Sequence, residues 1–100
     1  MAKDLRFSLL LECYRNLLSE KQAEMLESYY DLDLSLSEIS ENVGMSRQGV
    51  RDTIKRAEQQ LLDYEEKLGL IKKTNDLRDL CEKAKLTGNY DALGEYINQL

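Results

Sequence analysis

Residues 35–57, Ser35-Leu36-Ser37-Glu38-Ile39-Ser40-Glu41-Asn42-Val43-Gly44-Met45-Ser46-Arg47-Gln48-Gly49-Val50-Arg51-Asp52-Thr53-Ile54-Lys55-Arg56-Ala57, decide the fold. Ser35 and Glu38 are spaced as a capping box, in which the hydroxyl accepts from the amide three residues on and the carboxylate reaches back. Leu36, Ile39 and Val43 recur at three and four residues, one face of a short helix. Gly44 suits the left-handed position that ends a helix. Met45 fills the corner, and Ser46 caps a second helix whose inward face is Val50, Ile54 and Ala57. Two short amphipathic helices joined by about four residues including glycine read as a helix-turn-helix. The outward face of the second helix carries Arg47, Gln48, Arg51, Asp52, Lys55 and Arg56, residue types that reach phosphates and base edges in a major groove. The same charges also suit the solvated face of an ordinary helical corner with local ion pairs. Arg51 lies one turn before Lys55, so this pair repels, which favours an external anionic partner.

The rest of the composition agrees with an all-α chain. One hundred residues make one domain, and there is no proline and only five glycines among abundant Leu, Glu, Lys and Gln. So short a chain buries a modest core, and some helix needs a partner chain or a long neighbour. The net charge of −5 argues against a nonspecific nucleic-acid coat, which would be basic. Charge is uneven, however. Residues 1–45 carry four basic and nine acidic side chains, residues 46–60 four and two, and residues 61–100 six and eight. The second helix of the motif is the one basic island on an acidic body.

Several function classes are excluded or disfavoured. The chain has no histidine, so a zinc site with imidazole ligands and an imidazole general base are ruled out by inventory. Cys13 and Cys81 are far apart, without metal spacing, and are expected as buried small hydrophobes in a reducing cytosol. Asp31 and Asp33 are too few for a calcium loop. No Gly-rich phosphate loop is present, and Glu65 and Glu66 are adjacent on a helix and face apart, so no enzyme and no cofactor are expected. Leu9-Leu10-Leu11 is too short for a signal or a membrane span, which predicts a soluble cytoplasmic protein with no membrane partner.

Outward from the motif, residues 4–18 read as a first helix with Phe7, Leu10, Leu11, Tyr14, Leu17 and Leu18 inward and Asp4 at its positive end. Ser19 and Gln22 form a second capping box, followed by Ala23, Met25, Leu26, Tyr29 and Tyr30, the tyrosines read as core with hydroxyls at the rim. Residues 31–34 form an acidic linker. Gly49 costs the second motif helix about 1 kcal/mol relative to alanine. It marks either close approach of backbone to a ligand phosphate or drift at an exposed position.

Val50, Ile54, Ala57, Leu61, Tyr64, Leu68 and Ile71 continue that helix as a heptad-type stripe. Its second half, Leu61, Tyr64, Leu68 and Ile71, projects past the motif. Either the C-terminal segment or a second copy of the chain must cover it, and a homodimer is the expectation. Asn75 is placed as the cap of a fifth helix with Leu77, Leu80, Cys81 and Ala84 inward. Residues 87–89 read as a turn, and Asp91 as the cap of a sixth helix with Leu93, Tyr96, Ile97 and Leu100 inward. The predicted architecture is an all-α bundle: a helix-turn-helix domain over residues 1–72, with a long recognition helix, and a helical extension over residues 73–100 packing on that domain.

Residues 18–61 resemble the fourth region of bacterial sigma factors. Leu18, Gln22, Leu26, Tyr30, Glu38-Ile39, Gly44-Met45-Ser46, Val50, Arg56-Ala57 and Leu61 carry that likeness. The stronger resemblance, over most of residues 5–72, is to the YlxM family of small bacterial helix-turn-helix proteins. It rests on Leu18, Lys21-Gln22, Tyr29-Tyr30, Leu36-Ser37-Glu38-Ile39, Ser46-Arg47-Gln48, Asp52, Ile54-Lys55-Arg56 and Tyr64-Glu65-Glu66-Lys67-Leu68. Members are typically encoded beside the protein subunit of the signal recognition particle. The resemblance therefore implies a DNA-binding regulator tied to that targeting pathway. The chain departs from the family pattern at Gly49, where alanine is usual, and at Arg51, often an aromatic. Ser40 stands where helix-turn-helix proteins usually have alanine, and it fits only if its hydroxyl bonds to the backbone. Residues 73–100 carry no part of this resemblance, and their role is open.

These readings lead to duplex DNA as the first expected partner, bound by Ser46, Arg47, Gln48, Arg51, Asp52, Lys55 and Arg56. Arg47 and Gln48 read bases, Arg51 reads a base or holds a phosphate, and Lys55 and Arg56 hold phosphates. Amides at the helix start hold one more. A dimer would present two half-sites about 34–36 Å apart. The rival reading is an adaptor for signal recognition particle components, protein, GTPase or RNA, without sequence-specific DNA binding.

Overall fold

The computed structural model describes residues 3–100, which form six α-helices and no strand. The chain divides into two compact units, one through Leu68 and one from Gly69.

In the first unit, α1 spans Arg6–Tyr14. Asp4 sets its start: Oδ1 accepts from the Arg6 amide at 3.0 Å, and the carboxylate pairs with the Arg6 guanidinium at 2.7 Å. Phe7, Leu10, Leu11 and Tyr14 are buried. Cys13 lies off that stripe and is exposed, contrary to the expectation of a buried thiol. After Tyr14 the chain tightens into a 3₁₀ turn, Arg15–Leu17. The tighter winding shifts the side-chain phase, so Leu18 is buried as expected while Leu17, predicted inward, points to water.

Helix α2, Glu20–Leu26, starts at the predicted capping box. The Gln22 amide donates to Ser19 Oγ at 3.2 Å, and the Ser19 amide donates to Gln22 Oε1 at 3.1 Å. Arg15 joins the two segments by pairing with Glu20 and Glu27. The helix then widens into a π turn over Glu27–Asp31, which the sequence reading did not foresee, with the Leu32 amide donating to the Glu27 carbonyl. The turn stacks Tyr29 edge-on against Tyr30, centroids 5.0 Å apart. Tyr30 is buried beside Phe7, and Tyr29 is half-buried.

Helix α3, Leu36–Val43, and α4, Arg47–Leu68, complete the unit. Val50, Ile54, Ala57 and Leu61 are at most 3% exposed and pack α4 against α1, α2 and α3. Full burial of a large aliphatic side chain stabilises a fold by about 1.5–3 kcal/mol, so this row anchors the helix. From α3 only Ile39 is fully buried; Leu36 is half-buried, and Val43, predicted inward, is 43% exposed at the helix end. Further along α4, the Tyr64 hydroxyl donates to the Leu17 carbonyl at 3.0 Å and the Tyr14 hydroxyl donates to Glu65.

The helix expected to run on to Ile71 ends at Leu68. Gly69 takes the left-handed conformation, φ 60°, which an L side chain adopts only with strain. In the second unit α5 spans Leu70–Thr87, so Asn75 lies inside a helix and caps nothing. Gly88, φ 73°, ends α5, and α6 spans Asp91–Gln99 after the Asn89 side chain accepts from the Asp91 amide at 3.0 Å. The two helices pack on each other, and Tyr96 donates to the Lys73 carbonyl. Ala84 is buried, and Leu77, Leu80, Cys81, Leu93 and Tyr96 are half-buried. Ile97 and Leu100, predicted inward, are exposed, because a two-helix unit of this length can cover only a narrow strip of each helix.

Candidate nucleic-acid interface

The corner between α3 and α4 is built by side chains chosen for hydrogen bonding as much as for size. Ser35 Oγ accepts from the Glu38 amide and Glu38 Oε1 accepts from the Ser35 amide, both at 3.1 Å, which closes the predicted capping box. At the other end Gly44 sits at φ 69°, and its amide donates to the Ser40 carbonyl at 3.0 Å. The Ser40 hydroxyl donates across the turn to the Met45 carbonyl. A hydroxyl thus replaces the usual methyl without leaving a polar atom unsatisfied.

Helix α4 begins with Ser46 as its cap: Oγ accepts from the Gly49 amide at 3.0 Å, and its carbonyl accepts from Val50 at 3.0 Å. The Gly49 carbonyl in turn accepts from the Thr53 hydroxyl at 2.9 Å. Gly49 is half-buried and not at the exposed position that drift would require. A Cβ at this position would lie 3.1 Å from Ser46 Oγ and 3.4 Å from Met45 Cε. Small size at residue 49 accommodates the cap and the corner methionine.

With one side of α4 committed to the core, the other is open. Ser46, Arg47, Gln48, Arg51, Asp52, Lys55 and Arg56 are all exposed. Among the described residues no carboxylate lies within ion-pair distance of Arg47, Arg51, Lys55 or Arg56. Four-residue steps keep Arg47, Arg51 and Lys55 on one strip of the helix. Arg56, next to Lys55 in sequence, is turned about 100° away from it. Gln48 Nε2 donates to Asp52 Oδ1 at 2.9 Å, which orients the amide along the helix. Arg47, Gln48 and Arg51 also line an open hollow of about 370 Å³ whose remaining wall is Leu36 of α3. By sequence periodicity Leu36 is a core position only.

Two further clusters lie in the same unit, and neither was foreseen. Tyr30 donates to Glu58 Oε1 at 3.1 Å. Burial raises the Glu58 carboxyl above its ordinary value, opposed by the Tyr30 hydrogen bond and by the charge of Lys55. Tyr30 itself is raised, first by burial and then by Glu58. At the start of the chain, the Lys3 ammonium donates to the carbonyls of Tyr29, 2.6 Å, and Leu34, 2.8 Å. It also pairs with Asp33 at 3.2 Å and lies 3.9 Å above the centre of the Tyr29 ring. Asp33 holds φ 53°, so Lys3 fastens a strained segment just ahead of α3. A lone lysine near a terminus gives no sequence signal of carbonyls about thirty residues away.

The stripe assigned to oligomerisation divides in the structure. Leu61 is 0% exposed and belongs to the core of its own unit. Tyr64 is half-buried, Leu68 is 42% exposed, and Ile71 is half-buried in α5. No described helix is long and apolar enough to cross a membrane.

A capped helix, a left-handed glycine corner and a long second helix with an exposed cationic strip define a helix-turn-helix protein. The chain belongs to the UPF0122 family, whose model, described as "Putative helix-turn-helix protein, YlxM / p13 like", matches residues 1–99. The resemblance read from the sequence therefore extends through α5 and α6, which by themselves had suggested no family. A UPF0122 protein of Desulforamulus reducens is 46% identical over 88 residues, 87% of this chain and 75% of that protein. One from Caldanaerobacter subterraneus is 53% identical over 78 residues, 78% of this chain and 67% of the relative. One from Clostridium novyi is 47% identical over 77 residues, 77% and 67% respectively.

Proposed function

We propose that this protein is a cytoplasmic regulatory DNA-binding protein that lays the first turns of α4 in the major groove of duplex DNA. The observation that carries this reading is the strip of Arg47, Arg51 and Lys55, solvent-facing on a helix whose opposite side is immobilised. Cations on a rigid rib bind a polyanion without reorganising, and they meet no carboxylate of the described chain that must first be displaced. Arg47 and Gln48 read base edges, with Gln48 oriented by Asp52, and Arg51 reads a base or holds a phosphate. Lys55 and Arg56 hold phosphates, and Ser46 with the first amides of α4 forms a further phosphate contact.

The protein acts as a homodimer, because one motif gives weak affinity and two half-sites multiply it. Exposed Leu70, Leu86, Ile97 and Leu100 of the second unit support this part of the proposal, since a second copy would remove apolar surface from water. Kinship with YlxM proteins supports a place in the signal recognition particle pathway. The net charge of −5 favours a second reading, an adaptor that binds that particle's protein, GTPase or RNA through its acidic surface.

Selection from a random duplex pool, run beside a pull-down against signal recognition particle components, decides between them. Enrichment of a duplex sequence supports DNA reading. Capture of a particle component with no enriched duplex supports the adaptor.

A further inference from the structure

Leu36 stands at the first turn of α3 and is half-buried, yet it does not belong to the packed row formed by Ile39, Val50, Ile54 and Leu61. Its exposed part forms one wall of the hollow whose other walls are Arg47, Gln48 and Arg51. Three of the four lining residues bear polar ends suited to phosphates and base edges, and the fourth is a branched hydrocarbon. In a major groove the one apolar feature among the base edges is the C5-methyl group of thymine. Most other groove-facing atoms of the bases are donors and acceptors, which a leucine would desolvate without compensation, and cytosine offers only a C–H where thymine has its methyl. Leucine can therefore discriminate in this place, favouring thymine over cytosine and over a purine edge.

We propose that Leu36 is a specificity-determining residue, and that the hollow between α3 and α4 accepts the C5-methyl of one thymine in the bound duplex. This rests on the reading of α4 as a major-groove helix. It adds that sequence choice comes partly from the first helix of the motif, through an apolar contact. Gln48 stays in place during the contact, since its amide is held by Asp52 at 2.9 Å.

The test uses the duplex that the full-length protein enriches from a random pool. Each thymine is replaced in turn by deoxyuridine, which deletes only the methyl group. One position should lose about fourfold in affinity, the factor expected for burying one methyl group. Leu36→Ala should bind the original duplex about fourfold more weakly and should not distinguish thymine from deoxyuridine at that position. Leu36→Met, which keeps an apolar wall, should retain the distinction. Thermal unfolding of both variants checks that α3 still forms.

Indifference to deoxyuridine at every position, or an unchanged thymine preference in Leu36→Ala, overturns this inference and leaves the DNA-binding reading standing. Failure to enrich any duplex overturns both.

Discussion

The Ser40 hydroxyl donates a hydrogen bond to the main-chain carbonyl of Met45, across the glycine corner that sets α4 against α3. The Gly44 amide donates back to the Ser40 carbonyl at 3.0 Å, so one residue secures both sides of the turn. Ser40→Ala removes the first of these bonds and should destabilise the fold by about 1 kcal/mol. Urea unfolding measures the loss. Because alanine is small enough for the corner, α4 should keep its angle and duplex binding should be unchanged. A loss of binding in a fully folded Ser40→Ala protein would show that the hydroxyl does more than hold the turn.

Gly49→Ala should raise the melting temperature. Alanine improves helix propensity by about 1 kcal/mol. The new methyl would meet Ser46 Oγ at 3.1 Å, and a hydroxyl can yield by a few tenths of an ångström. Net stabilisation is therefore expected, somewhat smaller than the propensity gain. A fall in melting temperature would mean that the cap geometry at Ser46 cannot relax.

Glu58 should make the protein more tolerant of mild acid than its carboxylate count suggests. Its carboxyl is raised above the ordinary 4.5 by burial, with Tyr30 and Lys55 opposing the rise and Asp4 adding to it. A carboxyl raised in the folded state destabilises the fold once ionised. The penalty is absent below the ordinary value and sets in as pH rises through the folded value. Glu58→Gln keeps an acceptor for the Tyr30 hydroxyl and removes the buried charge. Its unfolding free energy should exceed that of the wild type near neutral pH, and the two should converge as pH falls below about 4.5. Curves that stay parallel across this range would contradict the assignment.

Lys3→Met should loosen the segment that leads into α3. The substitution leaves the carbonyls of Tyr29 and Leu34 without their ammonium donor and removes the partner of Asp33. A cost of about 1–3 kcal/mol is expected for such charge-assisted bonds. Hydrogen exchange should rise first at residues 29–35. Uniform acceleration over the whole first unit would instead assign Lys3 a global role.

The motif was legible because its signals are local. Ser35 with Glu38, Ser19 with Gln22, Gly44, Ser46 and the row Val50, Ile54, Ala57 and Leu61 each declare themselves within about four residues. The structure places every one as read. Leu17 and Val43 went astray at helix ends, where winding and fraying override periodicity. The stripe through Ile71 carried the expected helix past Gly69, whose left-handed φ puts the boundary at Leu68 and makes Asn75 an interior residue. Contacts across the chain left no pattern to read. Lys3 with Leu34, Tyr30 with Glu58 and Leu36 in the hollow with Arg51 all depend on how distant elements meet.

The exposed strip on α4 is tested most directly by the salt dependence of duplex binding, followed by fluorescence anisotropy for the wild type and for Arg47→Gln/Arg51→Gln. Each phosphate contact contributes about 0.9 to the slope of log affinity against log salt. Removing both arginines should weaken binding, and the slope should become shallower by roughly 0.9 where Arg51 holds a phosphate and stay unchanged where both arginines read base edges, while thermal unfolding stays unchanged. Equal affinity with an identical slope in the folded double variant would contradict the account and move any nucleic-acid contact to another face.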